Sequence, residues 1–142
     1  MKKNLLVVFN LAVFCITACA QKMDESKIPV AAKQAFVQKY PGLTGKWEKE
    51  NGNYEVNFKK DGKTMSAVID AKGSILETET DIAIQELPAA VGPYIKMHYK
   101  GAAIKEAARI EKPNGEINYE AEVNKKDVLF DTNGKFIKEA KD

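Results

Sequence analysis

One pattern occurs twice in this chain. "IPVAAKQAFVQKYPG", from Ile28 to Gly42, is answered by "LPAAVGPYIKMHYKG", from Leu87 to Gly101. Pro29 matches Pro88, Phe36 matches Ile95, Tyr40 matches Tyr99 and Gly42 matches Gly101, every pair 59 residues apart. Further on, "NGNYEVNF" is answered by "NGEINYEAEV", and "VIDAKGSILE" by "LFDTNGKFIKE", in the same order. Three blocks in conserved order mark a tandem duplication of one supersecondary unit of about 55 residues. The fold must therefore be built from two like halves, over 28–80 and 87–142.

Each half opens with a proline near a helix start, where the missing N–H is not needed. In the first, Ile28, Ala32, Ala35, Phe36 and Tyr40 recur at spacings of three and four, the apolar stripe of an amphipathic helix. Leu87, Val91, Tyr94, Ile95 and His98 trace the same stripe in the second, where Gly92 and Pro93 predict a late or kinked start. After the helix, Asn51-Gly52 and Asp61-Gly62 are two-residue hairpin signals, because a type I′ turn needs positive φ and these residues tolerate it. Asp70-Ala71-Lys72-Gly73 suits a longer hairpin with glycine in the left-handed position. These turns predict strands near 43–50, 53–60, 63–70 and 73–79, and Pro113-Asn114-Gly115 and Thr132-Asn133-Gly134 supply turns in the second half.

Alternation assigns the faces. Tyr54, Val56 and Phe58 share one side and Asn53, Glu55, Asn57 and Lys59 the other; Ile117, Tyr119, Ala121 and Val123 alternate in the same way with Glu116, Asn118, Glu120, Glu122 and Asn124. This is an antiparallel sheet covered on one side. The expected class is α+β: a helix followed by a four-stranded antiparallel meander, twice.

The N-terminus reads as a secretory leader: Lys2 and Lys3, then an apolar run from Leu5 to Ala18 broken only by Asn10 and Thr17. It is short of the roughly 20 apolar residues that span a bilayer. Two cleavages fit it. Ala18-Cys19-Ala20 satisfies ordinary processing before Gln21, giving a leader of 1–20, whereas Ile16-Thr17-Ala18-Cys19 resembles a lipobox, giving a leader of 1–19, an acylated Cys19 and a polar tether over 20–27. Both cuts discard Cys15, so the mature chain has no cysteine pair and no internal disulfide. Stability must come from one modest core or two small adjoining ones. The expected location is the periplasm, or the outer membrane through a lipid at Cys19, with no other membrane attachment.

Charge and motifs exclude several function classes. The chain has 22 basic and 20 acidic residues; loss of Lys2 and Lys3 leaves 20 against 20. A neutral, mixed surface lacks the clustered basic field of nucleic-acid binding. The lone histidine, His98, lies on the apolar stripe, where a partly buried structural role is expected, and zinc sites built on several imidazoles are excluded. There is no phosphate-binding Gly-Lys-Ser/Thr loop, no dinucleotide fingerprint and no cysteine nucleophile. Asp70 and Asp131 hold equivalent turn positions; without the further oxygens of a calcium loop, they read as caps of their own turns. No catalytic residue, cofactor or metal is expected.

With the leader, the tandem units, the "IPVAAKQAFVQKYPG" helix, and the strand pairs "YEVNFKKDGKTMSAVIDAKGSI" and "INYEAEVNKKDVLFDTNGKFI", the chain resembles the bacterial PepSY-like family, whose fold is related to that of the beta-lactamase inhibitor proteins. The resemblance runs from Ile28 to Glu139 and implies one curved antiparallel sheet, helices on one side and a concave face open on the other. It brings no active site.

What remains is a binding module. The expected docking face for an envelope protein or peptide carries Glu55, Asn57, Glu120 and Glu122, whose bland alternative is a solvated sheet surface. Trp47 shares strand parity with Leu43 and so belongs in the core, unless a bulge turns its ring to the open face as an aromatic anchor. The alternative function is a carrier or sensor of a small envelope ligand.

Overall fold

The computed structural model describes residues 23–50 and 52–141. The leader, Cys15, Cys19 and the start of the tether lie outside the described residues, as does Asn51. A 3-10 turn at Glu25–Lys27 leads into α1 (Val30–Lys39), followed by β1 (Gly45–Glu50), β2 (Asn53–Lys60), β3 (Lys63–Ile69) and β4 (Ile75–Asp81). A second 3-10 turn, Ile84–Glu86, precedes α2 (Val91–His98), β5 (Ala107–Glu111), β6 (Ile117–Glu122), β7 (Lys126–Phe130) and β8 (Phe136–Lys141). The eight strands form one antiparallel sheet in sequence order. Among the described residues no helix is long and apolar enough to cross a membrane.

The local reasons are legible. Pro29 caps α1 with extended backbone, and Tyr40 ends the helix by donating its N–H to the Phe36 carbonyl. Tyr99 repeats that stop at Ile95. α2 begins only at Val91, so Pro93 falls in the first turn, where its absent N–H has no intrahelical carbonyl to miss. Asp61 and Gly62 take positive φ between β2 and β3. Asn124 and Lys125 do the same between β6 and β7, with Val123 and Lys126 exchanging backbone hydrogen bonds across them.

Two cores result. Ile28, Ala32, Phe36 and Tyr40, from α1 and the residues that flank it, pack on Trp47, Tyr54, Val56, Phe58, Ala67 and Ile69. Phe36 meets Trp47 and Phe58 edge-on at centroid distances of 5.7 and 5.1 Å. Val91 and Ile95 of α2 pack on Ala121, Val123, Val128 and Phe130. Facing residues in an antiparallel ladder share a side, so register carries one face through the sheet: Ala67 pairs Thr78, Thr80 pairs Arg109, Arg109 pairs Tyr119, and Tyr119 pairs Phe130. Both helices therefore lie on the same side.

The duplication extends to details. Asp70 Oδ1 accepts hydrogen bonds from the Lys72 and Ser74 amides, and Asp131 Oδ1 from those of Asn133 and Lys135. The turn-capping reading of both aspartates stands on these bonds. A register shift follows at Val68/Ile69 and again at Leu129/Phe130. The Tyr40 hydroxyl donates to Thr78 Oγ1 on β4 at 3.4 Å, and the Tyr99 hydroxyl to Glu139 Oε2 on β8 at 2.6 Å. Each helix is thus tied to the fourth strand after it.

His98 departs from its expected place. It is the last residue of α2 and is exposed there, its ring stacked on Tyr94 at 3.9 Å and its Nδ1 2.9 Å from the Tyr94 carbonyl.

Candidate functional site

The side of the sheet opposite the helices is where chemistry concentrates. Register runs one row of it from Asn57 on β2 through Ser66, Glu79 and Ile110 to Asn118 on β6. The next row runs from Asp81 on β4 through Ala108, Glu120 and Leu129 to Lys138 on β8. Glu48, Glu55, Val68 and Glu77 form a third, and Glu122 faces Asp127 in a fourth. Period-two spacing does this: Glu77, Glu79 and Asp81 alternate with Thr78 and Thr80, so β4 presents a carboxyl at every second residue.

Glu55, Asn57, Glu120 and Glu122 do lie together on this face, but they do not form a solvated surface. Glu55 is 7% exposed, Glu120 2% and Glu122 7%, and Asp127 beside them is fully buried. Ile110, Ala108 and Leu129, on the same side, are buried as well. The middle of the sheet is thus enclosed on both sides although both helices lie on one. Trp47 is not part of this face. It is 6% exposed inside the first core, because β1 runs without a bulge and keeps the ring on the helix side.

Electrostatics follow from enclosure. Burial, and then the neighbouring carboxylates of Glu55, Glu77, Asp81 and Asp127, push the Glu79 carboxyl up to about 8. Burial first, then Glu122 and Asp81, raises Glu106. Asp81 is raised by burial against a hydrogen bond from Thr64, and Glu48 by burial against the charge of Lys46. A charged carboxyl loses hydration in such a place, and like charges disfavour it further. The Asn57 Nδ2 amide is buried without a hydrogen-bond acceptor.

This arrangement offers no nucleophile held by a base. Among the described residues no group of three His, Cys, Asp or Glu side chains is placed to hold a metal ion. What it offers is a dense set of acceptors in an enclosed trough. Glu79 and Asp127, its central members, were not singled out in the sequence. The signal for Glu79 was the alternation in "ETETD"; Asp127 gave none, since its neighbours in "KKDVLF" read as the end of a turn.

Comparison with known proteins follows the same architecture. A BLIP-like protein of Bacteroides fragilis is 28% identical, with a TM-score of 0.59, and the match covers 78% of this chain and 84% of that one. A Bacteroides eggerthii protein described as periplasmic is 18% identical, with a TM-score of 0.68 over 78% of this chain and 86% of its own. A Bacteroides uniformis protein is 20% identical, also with a TM-score of 0.68, over 78% and 87%. The last two likenesses concern the fold alone. No curated protein matches the chain. The family described as beta-lactamase-inhibitor-like and PepSY-like matches it twice, over residues 15–77 and 52–138. Together these matches span most of the chain: it belongs to the PepSY-like family.

Proposed function

We propose that the protein is an exported, non-enzymatic binding module of the cell envelope, which docks a protein or peptide on the face of its sheet opposite the helices. One observation carries this reading: both helices pack on one side, leaving carboxylates and amides in ordered rows on the other. In this reading each repeat is a helix on its four strands, and the joined strands form one curved sheet. Charges on such a face select and orient a partner more than they bind it. The B. fragilis relative, described as BLIP-like, supports an inhibitor-like or regulatory role over catalysis.

Export rests on the leader pattern, and the description of the B. eggerthii relative as periplasmic supports it. Cys19 is then acylated and 20–27 tethers the module to the outer membrane; mass spectrometry of the mature N-terminus tests this, and a chain beginning at Gln21 rules it out.

Pull-down from envelope extract tests the docking face. Asp81 and Glu106 are exposed at its rim, so Asp81→Lys with Glu106→Lys alters the face without burying a new charge. Partners held by wild type are lost by the variant; unchanged partners overturn the reading. A second reading, a carrier or sensor of a small envelope ligand, draws on the buried polar centre of Glu55, Ser66, Asn118 and Glu120. Thermal shift against a metabolite panel separates the two, because a specific small ligand raises the melting temperature by linkage.

A further inference from the structure

The β4–β5 ladder joins the two repeats. It is four residue pairs long, from Thr78↔Glu111 to Asp81↔Ala108, as short as β6–β7 within the second repeat, whereas β1–β2 has six pairs and β2–β3 seven. One further backbone bond, from the Ile82 N–H to the Ala107 carbonyl, extends it. On the helix side the seam carries no shared core, since the two hydrophobic clusters have no residue in common. The other side carries the most crowded carboxyls in the molecule.

Those carboxyls come from both sides of the seam. The first repeat contributes Glu55 from β2 and Glu77, Glu79 and Asp81 from β4; the second contributes Glu106 just before β5, Glu120 and Glu122 from β6, and Asp127 from β7. They act on one another across it: Asp127 on Glu79, and Asp81 on Glu106. In a flat sheet β7 stands about 14 Å from β4, three strand spacings away. Burial of Glu120 and Asp127 on a side without helices, with the field of Asp127 felt at Glu79, points to strands curled around this cluster.

The rest of the face is accounted for element by element. β3 places Thr64, Ser66 and Val68 there, none of them charged at neutral pH. Its basic groups are Lys46 on β1, opposite Asn57, Lys59 at the far end of β2, Lys112 just after β5, paired with Glu116 at 3.6 Å, and Lys138 on β8. Glu48 on β1 adds another acid. Directly across the ladders from Glu79 stand Ser66 and Ile110, so neither of its strand neighbours faces it with a cation.

We propose that the face is a proton-controlled clamp: with Glu79 protonated the two repeats close against each other, and with Glu79 ionised its charge and those of the carboxylates around it repel across the four-pair seam and loosen it. Loosening uncovers Glu55, Glu120 and Asp127, which the closed sheet buries. This supplies the docking reading with its regulation and rests on that reading only for its biological use. Acid closes the face and alkali opens it.

Hydrogen exchange of the chain alone tests the clamp, independently of any partner. Protection factors, corrected for intrinsic exchange, are compared at pH 6 and pH 9 for seam amides 78–82 and 107–111 against the β2–β3 ladder. Between the two pH values the seam loses on the order of tenfold more protection than β2–β3. Glu79→Gln, which mimics the protonated carboxyl, abolishes that excess. Should Glu79→Gln not fold, Asp81→Asn with Glu106→Gln, both at exposed positions, replaces it and halves the excess or better. An equal loss in both ladders, or a seam excess that the substitution leaves unchanged, overturns the clamp. If the clamp fails while the pull-down partner is still lost with the rim variant, docking stands without the gate.

Discussion

Glu79 is a carboxyl that the fold keeps protonated near neutral pH, first by burial and then by the four acids around it. The consequence for stability has a definite sign. Its folded value of about 8 lies above the ordinary 4.5, so its contribution is complete below about pH 4.5 and is lost as the pH rises through 8. Asp81, Glu48 and Glu106 are raised as well and act in the same direction. Asp70 and Glu116 run the other way, held low chiefly by a backbone bond from Ser74 and a side-chain bond from Asn118, but both are fully exposed. We therefore expect the melting temperature to climb as the pH is lowered from 9 to about 5.5, against the usual acid trend. Glu79→Gln removes most of that slope and stabilises the protein at pH 9, on the order of 2 kcal/mol after allowance for relaxation around the partly buried site. Calorimetry at the two pH values checks it, and a flat wild-type profile would contradict the assignment.

At the scale of elements, the turn before β4 and the turn before β8 each brace a helix. Gly73 takes φ +88°, and a Cβ there would lie 2.8 Å from the Ala31 carbonyl oxygen in α1; Gly134 takes φ +77°, and its Cβ would meet Ala90 Cβ at 2.9 Å, at the start of α2. Gly62 has positive φ with open space around it. Gly62→Ala therefore loses only the left-handed preference, about 1 kcal/mol, whereas Gly73→Ala and Gly134→Ala add a backbone or helix clash and lose about 2 kcal/mol or more. Urea midpoints of the three variants give the comparison. Turn chemistry of this kind was readable in advance: Asp-x-x-Gly located both turns, and strand ends fell within two residues of those expected in the first repeat. The lysine pair Lys125-Lys126 marked the β6–β7 turn too, but without a glycine to show that Asn124 and Lys125 would take positive φ. His98 was misplaced for a related reason: periodicity fixes the angle around a helix but not how far along it the core reaches, and here the buried stripe ends at Ile95.

Across the whole molecule, two cores share one sheet. Trp47, the chain's single tryptophan, sits in the first core, and Phe130 is fully buried in the second. Phe130→Ala should lose about 3–5 kcal/mol from the second core. In urea its circular dichroism transition then begins at a lower concentration than the change in Trp47 emission; coincident transitions would mean that the sheet unfolds as one unit across the β4–β5 seam. The duplication, the α+β class, the strand parity and the turn caps were determined by the sequence alone, since each depends on contacts within a few tens of residues or on a period of two or 3.6. What only the tertiary structure decided is the condition of the polar face. Parity placed Glu55, Glu120 and Glu122 on one side, yet whether water reaches them depends on how eight strands bend together. Bending is set by bulges, twist and packing summed over the whole sheet, and no local pattern of residues carries that sum.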